Sequence, residues 1–269
     1  MIARNFTYDN VCSQDLGIMI CSFGNDDEIT TTGSKIEMAV VKVPNSNKWV
    51  KTNCTYNEQL VFNFSFCKNP CECDYNQEEM VFSSEEQREI NCWLQRNDFL
   101  KLSFDEDGFE NIYYYASIYL EKKQVAGRTI GFNVTATCNA PWGFSENITY
   151  KIKQTDNDYD CLLLNNSDDF GLLLPDKVVI ECTADGDCEI SNLSTNMTTR
   201  IKNIVAGETI TISDKRIYTD LVTSHKNIYD DFNGVFPKLK SKFRDNVNKI
   251  KLKNCTATIT FTEARRVVV

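Results

Sequence analysis

The chain has 269 residues, 42% of them hydrophobic and 11% aromatic, with a net charge of −9 and a pI near 4.8. That length and apolar share build one or two domains with cores of their own and exclude wholesale disorder. The acidic balance disfavours a dedicated nucleic-acid binder, which needs a surplus of Lys and Arg to neutralise phosphates.

The opening residues, MIARNFTYDNVCSQD, contain no apolar h-region and no cleavage site, so no signal peptide is expected. No apolar run approaches the roughly 18 residues of a membrane span, so no membrane insertion is expected. The dominant period is two. In KIEMAVVKV (35–43), Ile36, Met38 and Val40 share one face; in QLVFNFSF (59–66), Leu60, Phe62, Phe64 and Phe66 do. Both patterns predict half-buried strands.

The next stretch, FCKNPCECDYN (66–76), holds Cys67, Cys71 and Cys73. A structural zinc site wants four thiolate or imidazole ligands in a tetrahedron. Cys92 or Cys54 would be the fourth, but the spacing only half meets the usual paired pattern. Free thiols are therefore the expectation, with a local disulfide or a zinc site as alternatives. The other cysteines among the 12 are scattered, as small buried hydrophobes are. Nine N-x-S/T sequons are present, but without a secretion signal they do not predict glycosylation.

SSEEQREINCWLQRN (83–97) breaks the alternation. Ser83 or Ser84 with Glu86 or Gln87 forms a capping box, and Glu85 and Glu86 complement the helix dipole at its start. Arg96 is expected in the last turn. Ile90, Trp93 and Leu94 recur at helical spacing, which predicts one inward stripe. NIYYYASIYLEKK (111–123) and RTIGFNVTATC (128–138) then form a predicted hairpin around QVAG, with Gly127 in the turn. Pro141 and Gly143 close this first unit.

The polar stretch KQTDNDYD (153–160) reads as a linker. Strands are predicted at 176–184, 188–194, 200–213, 216–221 and 248–263, at the short regular spacing of an antiparallel sandwich. The expected division is 1–152, a linker over 153–160, and 161–269.

No catalytic constellation emerges. The one histidine, His225, lies in the loop-like TSHKN and is expected to be exposed; no nucleophile elbow, phosphate loop or zinc-protease motif is present. The acid pairs at 105–107, 156–158, 168–169 and 230–231 read as solvated turns, and DNDYD and DGD do not fit a calcium loop. The expectation is a protein without enzymatic activity or cofactor.

Several segments carry a family resemblance. FTYDNVCSQDLGIMICSF (6–23) holds Ser13, Asp15, Leu16, Gly17 and Ile18. REINCWLQ with DFLKLSFDED holds Ile90, Trp93, Leu94, Leu102 and Asp105. GFNVTATCNAPWGFSE closes on Cys138, Pro141 and Trp142. Farther on stand Gly207, Glu208, Phe232, Asn233, Phe236 and Pro237, before a final basic strand. In this order the segments resemble the distal tail proteins of long-tailed bacteriophages, the baseplate hubs. The cysteine-rich loop is a departure from that pattern.

The resemblance implies a mainly β fold: a tail-tube-like N-terminal β-sandwich or split barrel with one α-helix, then a galectin-like antiparallel β-sandwich. It implies a structural virion protein, made in the bacterial host cytoplasm, that forms a ring, usually a hexamer, at the distal end of the tail tube. Its implied partners are further copies of itself, the tail-tube protein, the tail hub or tail-lysin, and receptor-binding or tail-fibre proteins. DNA would pass through the lumen without specific binding. A carbohydrate-binding β-sandwich module is the alternative, drawing on aromatics such as Trp49 and Trp142.

Overall fold

The computed structural model describes residues 4–23, 36–56, 59–71, 79–108, 111–155, 159, 161–169, 171–221, 225, 227–242 and 245–266. The chain forms two units, 1–144 with 266–269, and 145–265.

The first unit contains β1 (Phe6–Tyr8), β2 (Val11–Cys12), a 3-10 turn (Ser13–Leu16), β3 (Ile18–Cys21), β4 (Ile36–Lys42), β5 (Trp49–Tyr56), β6 (Val61–Lys68), α1 (Ser84–Leu94), β7 (Leu100–Phe104), β8 (Ile112–Val125) and β9 (Arg128–Cys138); β10 (Gly143–Ser145) straddles the division. Seven strands run antiparallel in the order β2-β1-β7-β8-β9-β6-β3, and β4 and β5 form a separate ladder. The alternation along β6 turns Phe62, Phe64 and Phe66 inward, opposite Ala136, Val134 and Phe132 of β9. Phe66 stacks on Phe132 at 5.2 Å and meets Phe6 at 6.0 Å.

Helix α1 closes this core with Ile90 and Leu94 buried. Its capping box forms as the sequence predicts: Glu86 N–H donates to Ser83 Oγ (3.2 Å) and Ser83 N–H to Glu86 Oε2 (2.7 Å). Partial burial works against ionisation of Glu86, but Lys68 at 2.6 Å and the Ser83 bonds outweigh it and lower its pKa. The helix ends at Leu94, so Arg96 lies beyond its last turn. Its guanidinium still reaches the Cys92 carbonyl at 3.3 Å.

The β8–β9 hairpin turns through Ala126 and Gly127, with φ of 50° and 78°. A two-residue turn with both φ positive suits Asn-Gly, because a Cβ is strained in the left-handed region. Ala126→Asn is therefore expected to stabilise the first unit by about 0.5–1 kcal/mol. A higher urea midpoint at unchanged slope is the expected readout.

The second unit contains β11 (Ile148–Lys153), β12 (Cys161–Leu164), β13 (Gly171–Leu173), β14 (Lys177–Cys182), β15 (Gly186–Asn192), β16 (Met197–Ile204), β17 (Thr209–Ser213), β18 (Arg216–Thr219), α2 (Ile228–Asp231), β19 (Leu239–Ser241), β20 (Val247–Lys253), β21 (Cys255–Phe261) and β22 (Ala264–Arg265). One sheet has the order β11-β21-β14-β17-β18 and the other β12-β20-β15-β16; β13 and β19 pair separately. Ile180, Ile201, Ile210, Ile250 and Ile259 are among the residues buried in its core. Three thiols meet there: Cys182 and Cys255 are register partners, and Cys188 accepts hydrogen bonds from both. That sharing pushes the Cys182 and Cys255 thiols up.

The division between the units falls earlier in the chain than the sequence suggests. β11 pairs along its whole length with β21, from Ile148↔Phe261 to Lys153↔Thr256, so residues 145–153 belong to the second unit. The stretch expected to link the domains thus lies inside the second; residues 156–158 and 160 of it fall outside the described residues. Two predicted long strands are also broken. The stretch 200–213 turns at Val205–Glu208, where Gly207 has φ of 87°, and 248–263 turns at Asn254, with φ of 54°. Asn and Gly are the residues that tolerate this region.

Candidate functional site

Strands β4 and β5 form a hairpin that the sequence only half announces. The pairs run from Ile36↔Tyr56 through Met38↔Cys54 to Lys42↔Trp49, with a bulge between Ala39 and Val40. The turn is held by Val43 N–H to the Lys48 carbonyl (3.0 Å), with Asn45 at φ of 58°. At the other end the Tyr56 ring meets Trp142 edge-on at 5.3 Å, and the Arg266 guanidinium lies over both rings.

Between these ends the hairpin is bare. Every residue of β4 is exposed, and Met38 and Trp49 keep 62% and 63% of their surface in solvent. Alternation places Ile36, Met38, Val40 and Trp49 on one face, and Ala39, Val41 and Val50 on the other. A two-stranded hairpin is at best marginally stable alone in water, and open strand edges invite pairing. An apolar hairpin wet on both faces is a surface built to be covered.

The residues singled out by the family motifs are dispersed through the fold rather than gathered at one point. Asp15 is exposed in the 3-10 turn, which Gly17 ends at φ of 64° with its N–H on the Gln14 carbonyl (3.0 Å). Trp93 stacks on Phe6 at 5.5 Å and donates to the Tyr8 carbonyl at 3.0 Å, while Leu94 is fully buried beside it. Asp105 is exposed at the end of β7, its N–H on the Asn5 carbonyl, and Pro141 is half-buried before Trp142. In the second unit, Asn233 clips β16: its Oδ1 accepts from Arg200 N–H (3.2 Å) and its Nδ2 donates to the Thr198 carbonyl (2.9 Å). Phe232 meets Phe236 at 5.1 Å, and Pro237 follows in a shallow groove with Leu174 and Val178.

The cysteine cluster does not assemble into a ligand set among the described residues. Cys67 lies at the end of β6 and accepts a hydrogen bond from Cys21, which holds its thiol down to about 7 against burial and raises that of Cys21. Cys71 is exposed in the following turn and Cys92 is exposed on α1; Cys73 lies outside the described residues.

His225 is buried, contrary to the exposed loop residue its sequence context suggests. Its Nδ1 lies 2.6 Å from Asp231 Oδ2 and its Nε2 3.1 Å from Glu208 Oε1. The Glu208 carboxylate also accepts from Val205 N–H (3.1 Å) and the Thr219 hydroxyl. The hydrogen bond to Asp231 holds the imidazole in the fold, and the buried Glu208 carboxylate lies on its other side. One partner, Asp231, is only six residues along the chain, whereas Glu208 comes from a distant turn.

The His225 bond is the largest influence on Asp231 and lowers its pKa against slight burial, with Asn203 adding a further bond at 2.6 Å. A carboxyl with a depressed folded pKa stabilises above its unfolded pKa, and that contribution disappears as pH falls through the folded one. Asp231→Asn is thus expected to lower the urea midpoint at neutral pH, with wild type and variant converging in acid below the usual carboxylate range.

Among the described residues no helix is long and apolar enough to cross a membrane. A family model for a phage tail protein N-terminal domain matches residues 1–140, and one for a phage tail C-terminal domain matches residues 142–262. No curated protein sequence matches the chain. The crystal structure of Dit (gp 19.1) from phage SPP1, presented as a paradigm of the hub adsorption apparatus in Gram-positive infecting phages, is similar with a TM-score of 0.63. The match covers 96% of this chain and 98% of that one at 12% identity, so the likeness is one of fold: mainly β and Dit-like in both halves. With both domains matched in order, the chain belongs to this family of phage tail proteins.

Proposed function

We propose that this tail protein forms a hexameric ring at the distal end of the tail tube. There it would join the tube to the tail tip and to receptor-binding or fibre proteins. The unpartnered apolar β4–β5 hairpin carries this reading: covered by the next copy around a ring, its strand edges and both apolar faces leave water together. Ring closure also removes the open edge that would otherwise seed irregular association. Residues 1–144 hold most of the chain's acidic excess, which suits a lumen that lets DNA pass without binding it.

The role is structural, with no reaction assigned to it. The protein is made in the host cytoplasm and acts in the assembled tail, beside the tail-tube protein and the hub or tail-lysin. Native mass spectrometry and electron microscopy of the purified chain test the ring. Six times the protomer mass of 30.8 kDa and a six-fold annulus are expected. A stable monomer at micromolar concentration, alone and with the tail-tube protein, would contradict it.

A further inference from the structure

The large sheet of the first unit has a core face and an outer face. On β6, Phe62, Phe64 and Phe66 turn to the core, so Ser65 and Cys67 point the other way. The register of β3 on β6 pairs Met19 with Cys67 and Cys21 with Ser65. Cys21 and Cys67 are therefore diagonal neighbours on the outer face. Both are half-buried, and their thiols share a hydrogen bond in which Cys67 accepts. The Ser65 hydroxyl donates to Asn133 Oδ1 at 2.9 Å. Gly131 of β9 stands opposite Cys67 and leaves room for the Phe23 ring, which a Cβ at that position would strike. Farther along the same two rows lie Lys123 and Glu121 of β8.

Thiols also meet in the trio Cys182, Cys188 and Cys255, but these are shut in the core of the second unit. Reactive cysteines combine thiolate character with a path to solvent, whereas buried ones are inert. Cys67 has both: accepting the Cys21 bond holds its thiol down to about 7, and it keeps part of its surface in water.

We propose that Cys21 and Cys67 are a reversible redox pair that closes to a disulfide by exchange with small-molecule disulfides of the glutathione class. The Cys67 thiolate attacks one sulfur of the small disulfide and expels a thiolate, which takes a proton from solvent. Cys21 then gives its proton to solvent and attacks the Cys67 sulfur, expelling the second small thiolate. Two protein thiols and one small disulfide become one protein disulfide and two small thiols, so no further oxidant is required.

Diagonal neighbours across an antiparallel pair have Cα atoms about 7–8 Å apart, just beyond the roughly 4.4–6.8 Å that a disulfide spans. Closure therefore requires a small shift of β3. That strand has four residues and ends its sheet, so it can yield where a central strand could not. A disulfide closed against such a shift is readily reduced, which is the character of a switch rather than of a permanent staple. A reducing compartment keeps the pair open, and an oxidising one closes it and ties β3 to β6. The inference rests on these two strands and does not depend on ring formation.

The test treats the reduced full chain with oxidised glutathione under native conditions, followed by thiol counting and mass spectrometry of peptides digested without reduction. Two thiols per chain are expected to disappear, with a Cys21–Cys67 cross-linked peptide that dithiothreitol abolishes. Cys138, Cys182, Cys188 and Cys255 should remain free to be alkylated after unfolding. Cys21→Ser should trap a glutathione on Cys67, because the second thiol is gone, and Cys67→Ser should leave Cys21 unmodified. Circular dichroism checks the fold of both variants, and Cys21→Ala and Cys67→Ala replace them if serine disturbs it. Cys71→Ser/Cys73→Ser/Cys92→Ser should leave closure intact.

Free thiols persisting at both positions of the wild type, a disulfide from Cys67 to Cys71 or Cys73, or glutathione retained on wild-type Cys67 overturns the inference.

Discussion

Met38→Glu with Trp49→Glu is expected to abolish ring assembly while leaving the protomer as stable as wild type. These side chains are 62% and 63% exposed, so a charge at either position meets water in the isolated chain. Surface substitutions of that kind usually change stability by no more than about 0.5 kcal/mol. In an assembled interface they would bury two carboxylates in an apolar seam. Central apolar or aromatic anchors are each worth about 2 kcal/mol or more on truncation, and two such losses approach a thousandfold in affinity if they add. Neighbouring residues seldom add fully, so a loss of at least a hundredfold is the expected result. Sedimentation velocity measures the assembly and urea unfolding the protomer. A ring that survives the double substitution would remove the hairpin from the interface. A protomer that unfolds would mean the hairpin supports the fold itself.

Phe66→Ala is expected to have the opposite signature, a loss of stability before any loss of assembly. The ring is fully buried and meets Phe6, Phe82 and Phe132. Truncating a buried Phe costs about 3–5 kcal/mol through lost transfer energy and a residual cavity, against a typical total of about 5–15 kcal/mol for a domain. Each unit has its own core, so the loss should appear in one urea transition and spare the other. Val61, on the same strand but 43% exposed, is the control, and Val61→Ala should move neither transition by more than about 0.5 kcal/mol. An equal shift in both transitions for Phe66→Ala would show that the two cores unfold as one.

Much of this was legible residue by residue. The Ser83–Glu86 capping box, the Phe62–Phe64–Phe66 stripe and the β8–β9 hairpin are set by interactions within a few positions of one another, and local chemistry suffices to read them. The mainly β, two-part fold was legible from the same periodicity together with the family motifs. The candidate site was half legible: Ile36, Met38 and Val40 declare a strand, but WVKTNCTY does not declare its partner. Mixed polar and apolar residues fit a strand that is wet on both sides as well as they fit a loop.

By itself, then, the sequence determined where the chain alternates, where it coils and, on strands such as β6, which side chains face inward; on β4 it predicted a half-buried face that the structure leaves in water. The tertiary structure alone decided which strands pair. It moved 145–153 into the second sandwich, because β11 finds its ladder on β21 more than a hundred residues away. It buried His225 between Asp231, to which the ring is hydrogen-bonded, and Glu208 from a remote turn. It left β4–β5 uncovered within the protomer. It also brought Cys21 of β3 beside Cys67 of β6. Long-range pairing and the demands of buried polar groups depend on residues that only folding makes neighbours, and no local window contains them.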